Sequence, residues 1–455
     1  MQINSQILNL EIEKLSNLGF GISKQDGFVV FIPNTCPGDY VKAKITKKHK
    51  SFAHAELVEI IKPSAYRKEP LCKMQKICGA CQLQFIDYQK QLDIKKEIVS
   101  DTMHSIYGYD IEIKDVIPSP KISEYRCKIQ YPISETKDSK RIIAGYYKSN
   151  SHDIVNIKYC PIQPEYCNKI IDFIRQEAKI CSISGYNEKT HTGILRHVTI
   201  RASAYNKKNL VTLVINDNKL SKNVEKLAKN IYDKLENISG VAINFNPQRT
   251  NLIYGEKTQI VIGNDYIEEK LCEKEFRIGV KTFFQVNPYC ADNIFKYVKE
   301  YIKNNINTPT ILDAYAGISA FGICLSDISN SITTVEEVMD SVCMAHDIIT
   351  KNNITNIDAI CMDANKFFKE QLALNKCYDI TLLDPPRKGC SKETLEYALK
   401  LTKRLIVYVS CNPATLARDL KFLKEKGAKI ESIQPFDMFP HTYHIENVVF
   451  VTIDK

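Results

Sequence analysis

From about residue 286 to the end of the chain, apolar runs of strand length alternate with stretches of helical period. ILDAYA, SITTVEEV, NIDAICMD, YDITLLDPP and RLIVYVSC read as buried strands. MDSVCMAHDIITKNN and PATLARDLKFLKEKG read as helices between them. Strands apolar on both faces and joined through helices predict a parallel sheet with helices on both sides, an α/β Rossmann-like domain. The last pair, KIESIQPFDMF and ENVVFVTIDK, has no helix between its members, which predicts a hairpin at the sheet edge.

The remaining sequence has a different texture. Residues 1–62 carry short β-branched runs punctuated by Gly19, Gly21 and Gly38, with Asp26-Gly27 as a two-residue hairpin turn. They predict a small antiparallel β-barrel. Residues 63–285 mix a helical stretch over roughly 88–107 with strand-like runs such as HVTIRAS and NLVTLVIND, which predicts a central α+β domain. With 286–455 these make three domains, in keeping with a length of 455 residues. No apolar run reaches the ~20 residues of a membrane span, and the N-terminus has no basic segment followed by an apolar one. A cytoplasmic, monomeric protein with no membrane partner is the expectation.

Chemistry concentrates where the C-terminal strands end. Asp313 closes one strand and Gly317 opens the turn that follows, but the three glycines of a dinucleotide fingerprint are missing, so pyrophosphate binding is not expected. Glu336, 23 positions after Asp313 at the end of the next strand, suits either a ribose diol or a helix cap. Asp384-Pro385-Pro386-Arg387 ends a further strand with two residues that lack a donor, forming a rigid lip or a plain terminator. Cys411 stands between an apolar strand and the Asn412-Pro413 helix start, where the helix dipole favours a thiolate and nucleophilic use of the sulfur.

Sixteen cysteines are many for a chain expected in a reducing compartment. Cys72, Cys78 and Cys81 follow a C-x5-C-x2-C spacing, and Cys160 lies downstream before Pro161. Four thiolates suit an iron–sulfur cluster or a closed zinc site equally well. Cys127 and Cys167 are nearby alternatives. The net charge of +9 is compatible with a polyanionic partner. Lys42, Lys44, Lys47, Lys48 and Lys50 read either as a charged edge strand or as a phosphate-contacting surface.

FFQVNPYCAD, LDAYAGISAFG, LLDPPRKG, SCNPATLARDL and HIENVVFV, in that order across residues 283–451, resemble the motif set of the RNA uracil-5 methyltransferases. The N-terminal barrel resembles a TRAM domain, an OB-like RNA-binding module. The resemblance implies a class I, S-adenosylmethionine-dependent fold and covalent catalysis, with Cys411 as the nucleophile and Glu446 as the general base. It also implies cofactor contacts at Gln285, Tyr315, Glu336, Asp363 and Asp384. Ser319 and Ala316 depart from the family's usual residues in the glycine turn without removing a charge or a donor. Cys72, Cys78, Cys81 and Cys160 resemble the 4Fe-4S ligands of the branch acting on 23S ribosomal RNA, which makes that RNA the expected partner. The alternatives are a transfer RNA uracil-5 methyltransferase, or a non-catalytic RNA-binding protein, against which the retention of Cys411, Glu446 and Asp384 argues.

Overall fold

The structure is a computed structural model that describes residues 6–25 and 27–453. The N-terminal unit has six strands: β1 (Ile7–Glu11), β2 (Lys14–Leu15), β3 (Gly21–Gln25), β4 (Phe28–Ile32), β5 (Tyr40–Lys48) and β6 (Phe52–Lys62). Their order is β1-β5-β6-β4-β3-β2. Alternate residues turn inward, so Val30, Ile32, Val41, Ala43, Ile45, Ala53 and Ala55 form one core. The β3–β4 hairpin closes with Gln25 opposite Phe28. Gly27 has φ +78°, a left-handed conformation that glycine adopts without strain. Asp26 lies outside the described residues.

The five lysines of this unit divide. Lys42 and Lys44 face Glu59 and Glu56 across the β5–β6 ladder, in ion pairs of 3.5 and 3.6 Å. Lys47, Lys48 and Lys50 have no carboxylate partner among the described residues. The phosphate-contacting reading therefore narrows to the distal three.

A linker leads to α1 (Tyr88–Thr102), a π-helical turn at Met103–Tyr107, and the short β7 (Glu112–Ile113). The central unit comprises β8 (Lys128–Glu135), β9 (Ile142–Ala144), α2 (Glu165–Ile180), β10 (Leu195–Ala202), β11 (Asn209–Ile215), α3 (Lys222–Lys234), β12 (Ile238–Phe245) and β13 (Lys257–Gly263). Its sheet runs β13-β12-β11-β10-β8-β9, and only β11 and β12 are parallel. The hairpin of β14 (Tyr266–Leu271) and β15 (Lys274–Gly279) follows.

The C-terminal unit contains α4 (Pro288–Asn305), β16 (Thr310–Ala314), α5 (Ala320–Leu325), β17 (Ser331–Glu336), α6 (Met339–Lys351), β18 (Ile357–Cys361), α7 (Ala364–Ala373), β19 (Tyr378–Leu383), α8 (Lys392–Leu401), β20 (Thr402–Ser410), α9 (Pro413–Glu425), β21 (Lys429–Phe436) and β22 (Glu446–Thr452). The sheet order is β18-β17-β16-β19-β20-β22-β21-β7. The parallel sheet expected from the alternation is present from β18 to β20. The closing hairpin sits deeper than an edge. β22 inserts antiparallel between β20 and β21, and β7 from outside the 286–455 range covers β21. The run NVVFV is almost continuously buried, which suits an interior strand. Among the described residues no helix is long and apolar enough to cross a membrane.

Helix α1 joins this sheet to the barrel. Its buried Ile94 and Ile98 pack with Leu15 and Cys36 of the barrel and with Leu83, Phe85 and Ile86 of the linker. On the same stripe, the ammonium of Lys95 reaches the carboxylate of Asp437 and the carbonyl of Phe439, with both charged side chains fully buried. Tyr88 donates a 2.8 Å hydrogen bond to the other oxygen of Asp437. Lys95→Ala leaves a buried carboxylate without its cation and should destabilise the protein by about 3–5 kcal/mol. Denaturant unfolding measures this, and Lys95→Met with Asp437→Asn should recover part of the loss because no unpaired charge remains.

Candidate active site

The strand ends of the C-terminal sheet gather three carboxylates. Beyond β16 the chain makes a tight turn in which Tyr315, Gly317 and Ser319 all have positive φ, at +64°, +56° and +59°. Two of these are not glycine, and a left-handed backbone costs each roughly 1 kcal/mol or more. The turn is held by donors on its own backbone. The Gly322 N–H donates to Asp313 at 3.1 Å, and the Gly317 N–H donates to Glu336 at 3.0 Å. The second oxygen of Glu336 accepts from the Val338 N–H at 3.0 Å, so this carboxylate is fixed in orientation. The second oxygen of Asp313 is buried without a partner. Burial pushes Asp313 up to about 8, the Gly322 N–H opposes this, and Asp384 and Glu336 add to it.

The other cofactor candidates have distinct places. Burial also raises the Tyr315 phenol, with Cys390 and Asp363 adding and Thr394 opposing, so Tyr315 stands among those side chains. Asp363 is exposed and caps α7, accepting from the Lys366 N–H at 3.0 Å. Gln285 lines a small cavity with Arg201, Glu269 and Phe284, between the central sheet and the β14–β15 hairpin. An unpartnered buried carboxylate oxygen, a fixed glutamate and a partly buried tyrosine at the ends of adjacent strands fit a cationic, ribose-bearing ligand.

The second half of the site is built by the β20–β22 pair. Ser410 lies opposite Asn447, and the Asn447 side-chain amide donates to the Ser410 carbonyl at 3.3 Å. Cys411, one residue beyond β20, and Glu446, the first residue of β22, therefore emerge side by side. Asn412 caps α9 by accepting from the Ala414 N–H, and its amide donates to the Arg387 carbonyl at 3.1 Å. Thr415 donates to the same carbonyl at 3.2 Å. These bonds fasten the Asp384–Arg387 lip to the start of α9.

The protonation of this group differs from the sequence expectation. Cys411 is pushed up to about 11 by burial, with Glu446 and Asp384 adding and Arg387 opposing. Desolvation and two carboxylates favour the neutral thiol over the thiolate. Burial, reinforced by Asp384 and opposed by Arg387, holds Glu446 well above the usual carboxylate range. Burial raises Asp384 to about 7. The two acids share one dry crevice and titrate as a pair, each held above the ordinary carboxylate range.

A cleft of about 280 Å³ opens over Cys411. Its wall includes Arg387 and His444, together with Asn17 and Leu18 from the β2–β3 turn of the barrel. Sequence reasoning did not assign these four to the site. Arg387 directly follows the two prolines and His444 precedes Glu446 by two, so local signals existed for both. None existed for Leu18, whose place depends on how the barrel packs. His444 is lowered to about 4, first by burial and then by Arg387, and is therefore neutral.

None of the candidate metal ligands lines this cleft. Cys81 is raised by burial and then by Cys160 and Cys78, while Cys160 is pushed up to about 11 by burial with Cys72 and Cys78 adding. Arg126 opposes the rise at Cys78, Cys81 and Cys160. Cys127 instead adds to the rise at Cys167, and Cys167 faces Asn209 at 3.8 Å. Among the described residues no three His, Cys, Asp or Glu side chains stand at metal-binding spacing. Cysteine sulfur is the donor type such a group needs, and Arg126 is the cation beside three of these thiols.

The electrostatics of Cys411 can be read by alkylation. In the protein without RNA, Cys411 should react with iodoacetamide only at strongly alkaline pH, well after the exposed Cys343 and Cys377. Glu446→Gln removes a raising charge and should shift the Cys411 profile to lower pH. Arg387→Ala removes the opposing charge and should shift it higher. Residue-resolved mass spectrometry measures both.

Comparison with known proteins agrees with this arrangement. The tRNA (Uracil-5-)-methyltransferase family model matches residues 87–453, and the TRAM domain model matches residues 4–58. An uncharacterized RNA methyltransferase of Clostridium tetani is 35% identical, over 98% of this chain and 96% of its own length. One from Synechocystis is 33% identical, over 98% and 95%. The crystal structure of the Pyrococcus abyssi tRNA (uracil-54, C5)-methyltransferase with S-adenosyl-L-homocysteine superposes with a TM-score of 0.79 at 26% identity, covering 98% of this chain and all of the other. The chain belongs to the tRNA (uracil-5-)-methyltransferase family and is an S-adenosylmethionine-dependent RNA methyltransferase with an N-terminal TRAM domain.

Proposed function

We propose that this chain methylates carbon 5 of a uridine in 23S ribosomal RNA through a covalent bond from Cys411 to carbon 6 of the base. The observation that carries the chemistry is the adjacency of Cys411 and Glu446 at facing strand ends beside one cleft. S-adenosylmethionine, when bound by Glu336, Asp384, Tyr315, Asp363 and Gln285, supplies an electrophilic methyl group. Carbon 5 of uracil is a poor nucleophile, and addition of the Cys411 sulfur to carbon 6 turns the base into an enolate reactive at carbon 5. Arg387 is the cation that favours the Cys411 thiolate. After methylation Glu446 takes the remaining carbon 5 proton, the carbon–sulfur bond breaks, and the thiolate leaves. A glutamate with a raised pKa is a strong base for that step once its own proton has passed to Asp384 or solvent.

The ribosomal substrate rests on Cys72, Cys78, Cys81 and Cys160, which we read as the ligands of a structural 4Fe-4S cluster, with Arg126 offsetting its negative charge. The likeness to an enzyme acting on transfer RNA favours the other reading, and the two predict different losses. In cells lacking the protein, 5-methyluridine should disappear from 23S ribosomal RNA. Loss from transfer RNA alone would overturn the ribosomal assignment.

Further outcomes are expected for the cluster and for the two proposed catalytic residues. Protein purified without oxygen should be brown and contain about four irons per chain, with Cys160→Ser losing the colour; stoichiometric zinc without iron would sink the cluster. Cys411→Ala should abolish methylation while keeping cofactor binding. Glu446→Gln should still add and methylate but stall at elimination, giving a methylated protein–RNA adduct that survives denaturing electrophoresis. Normal turnover by Glu446→Gln would assign the base elsewhere.

A further inference from the structure

The outer face of the barrel carries rings where a solvated sheet face ordinarily carries polar side chains. Phe31, Phe52 and His54 alternate with the inward Val30, Ile32, Ala53 and Ala55, so all three point away from the barrel core. Each is only half-buried. The strands set them in register: His54 lies between Lys47 of β5 and Phe31 of β4. His49, in the β5–β6 turn, stacks on Phe52 at 4.3 Å with an interplanar angle of 16°. Phe31 sits 5.8 Å from Phe52 and 5.6 Å from His54, centroid to centroid. Lys47, Lys48 and Lys50 border these rings as exposed cations without carboxylate partners among the described residues.

This face runs on to the catalytic cleft. Phe20 contacts His54 edge-on at 6.3 Å and ends the turn whose Asn17 and Leu18 line that cleft. The turn is pinned from both sides. The Ser16 N–H donates to the Phe20 carbonyl at 2.8 Å, and a Cβ added at Gly19 would approach the Tyr443 ring to 3.2 Å. Half-exposed rings edged by unpaired cations are the two components of a single-strand nucleic-acid surface, one for base faces and one for phosphates. Duplex contacts need only the cations.

We infer that Phe31, His49, Phe52 and His54 form a stacking platform for unpaired nucleotides of the substrate RNA, which pass over the Asn17–Phe20 turn to reach Cys411. The inference rests on the RNA-modifying reading of the cleft and adds to it the face and the strandedness of the RNA that feeds it. It requires that the nucleotides flanking the target be unpaired when bound.

The test uses the full-length protein and a fluorescent RNA of about 12 nucleotides, offered as a single strand and as a duplex of the same sequence. Phe52→Leu keeps apolar volume and loses the ring, whereas Phe52→Tyr keeps the ring. Phe52→Leu combined with His54→Ala should weaken single-strand binding about tenfold or more and leave duplex binding almost unchanged. Phe52→Tyr should bind as the wild type. Lys47→Glu should weaken both RNAs and flatten the salt dependence. Titration with S-adenosylhomocysteine checks that each variant is folded. Wild-type single-strand affinity in the ring-deleted variant, or an equal loss for single strand and duplex, would overturn the platform. Binding needs no methyl transfer, so a platform that binds RNA in a protein that methylates no uridine would overturn the proposed reaction while leaving the platform intact.

Discussion

The chemistry proposed for this molecule depends on one antiparallel strand pair, β20 with β22. Were β22 to join the sheet in the same direction as its neighbours, its first residue would lie at the far end from Cys411. Running the other way, it starts where β20 stops, and Ser410 pairs with Asn447. Asn447 is fully buried and ties the two strand ends together through its side chain. A slip of one residue would carry Glu446 to the opposite face of the sheet, because side chains alternate with period two. The register is specified by burial: Val448, Val449 and Val451 face packed layers on both sides.

The same crevice sets the charge problem that the reaction has to solve. Asp313, Glu336, Asp384 and Glu446 lie at adjoining strand ends, and Arg387 is the cation that opposes them at Cys411 and Glu446. Desolvation favours neutral forms, so burial holds Cys411, Asp384 and Glu446 toward their protonated states. The proposed cycle needs the Cys411 sulfur deprotonated before addition and Glu446 ionised before elimination. Burial makes the thiol a weaker acid, yet the thiolate it yields is the better nucleophile, and it makes Glu446 the better base.

Sequence reading located the strand ends that carry Asp313, Asp384 and Cys411. Apolar runs stop abruptly at Asp313, Asp384 and Cys411, and the parallel sheet that follows from those runs brings their ends together. It failed where a neighbour from elsewhere in the chain decides the outcome. The helix start beside Cys411 is legible, but the burial of its sulfur and the carboxylates that raise it, from just beyond β19 and from β22, are not. Lys42 and Lys44 read like Lys47 until the β5–β6 register shows Glu59 and Glu56 across from them. The stripe Gln91, Ile94, Lys95 and Ile98 has helical spacing, but half of it is polar, so nothing local marks it as buried.

That stripe also links the barrel to the strands of the C-terminal sheet. Ile94 and Ile98 pack against the barrel and linker. Lys95 and Gln91 hold the chain just before β22: Lys95 through Asp437, and Gln91 by accepting from the His441 N–H at 3.0 Å. A fully buried lysine is tolerated only when its charge is met, and here the partner is the segment that delivers Glu446. Displacing the barrel relative to the cleft would drag α1, and with it the Asp437–His441 segment. RNA held on the barrel as proposed would thereby be referenced to Glu446 through a single helix, with Ile98 of that helix and Leu18 of the barrel turn both lining the cleft over Cys411.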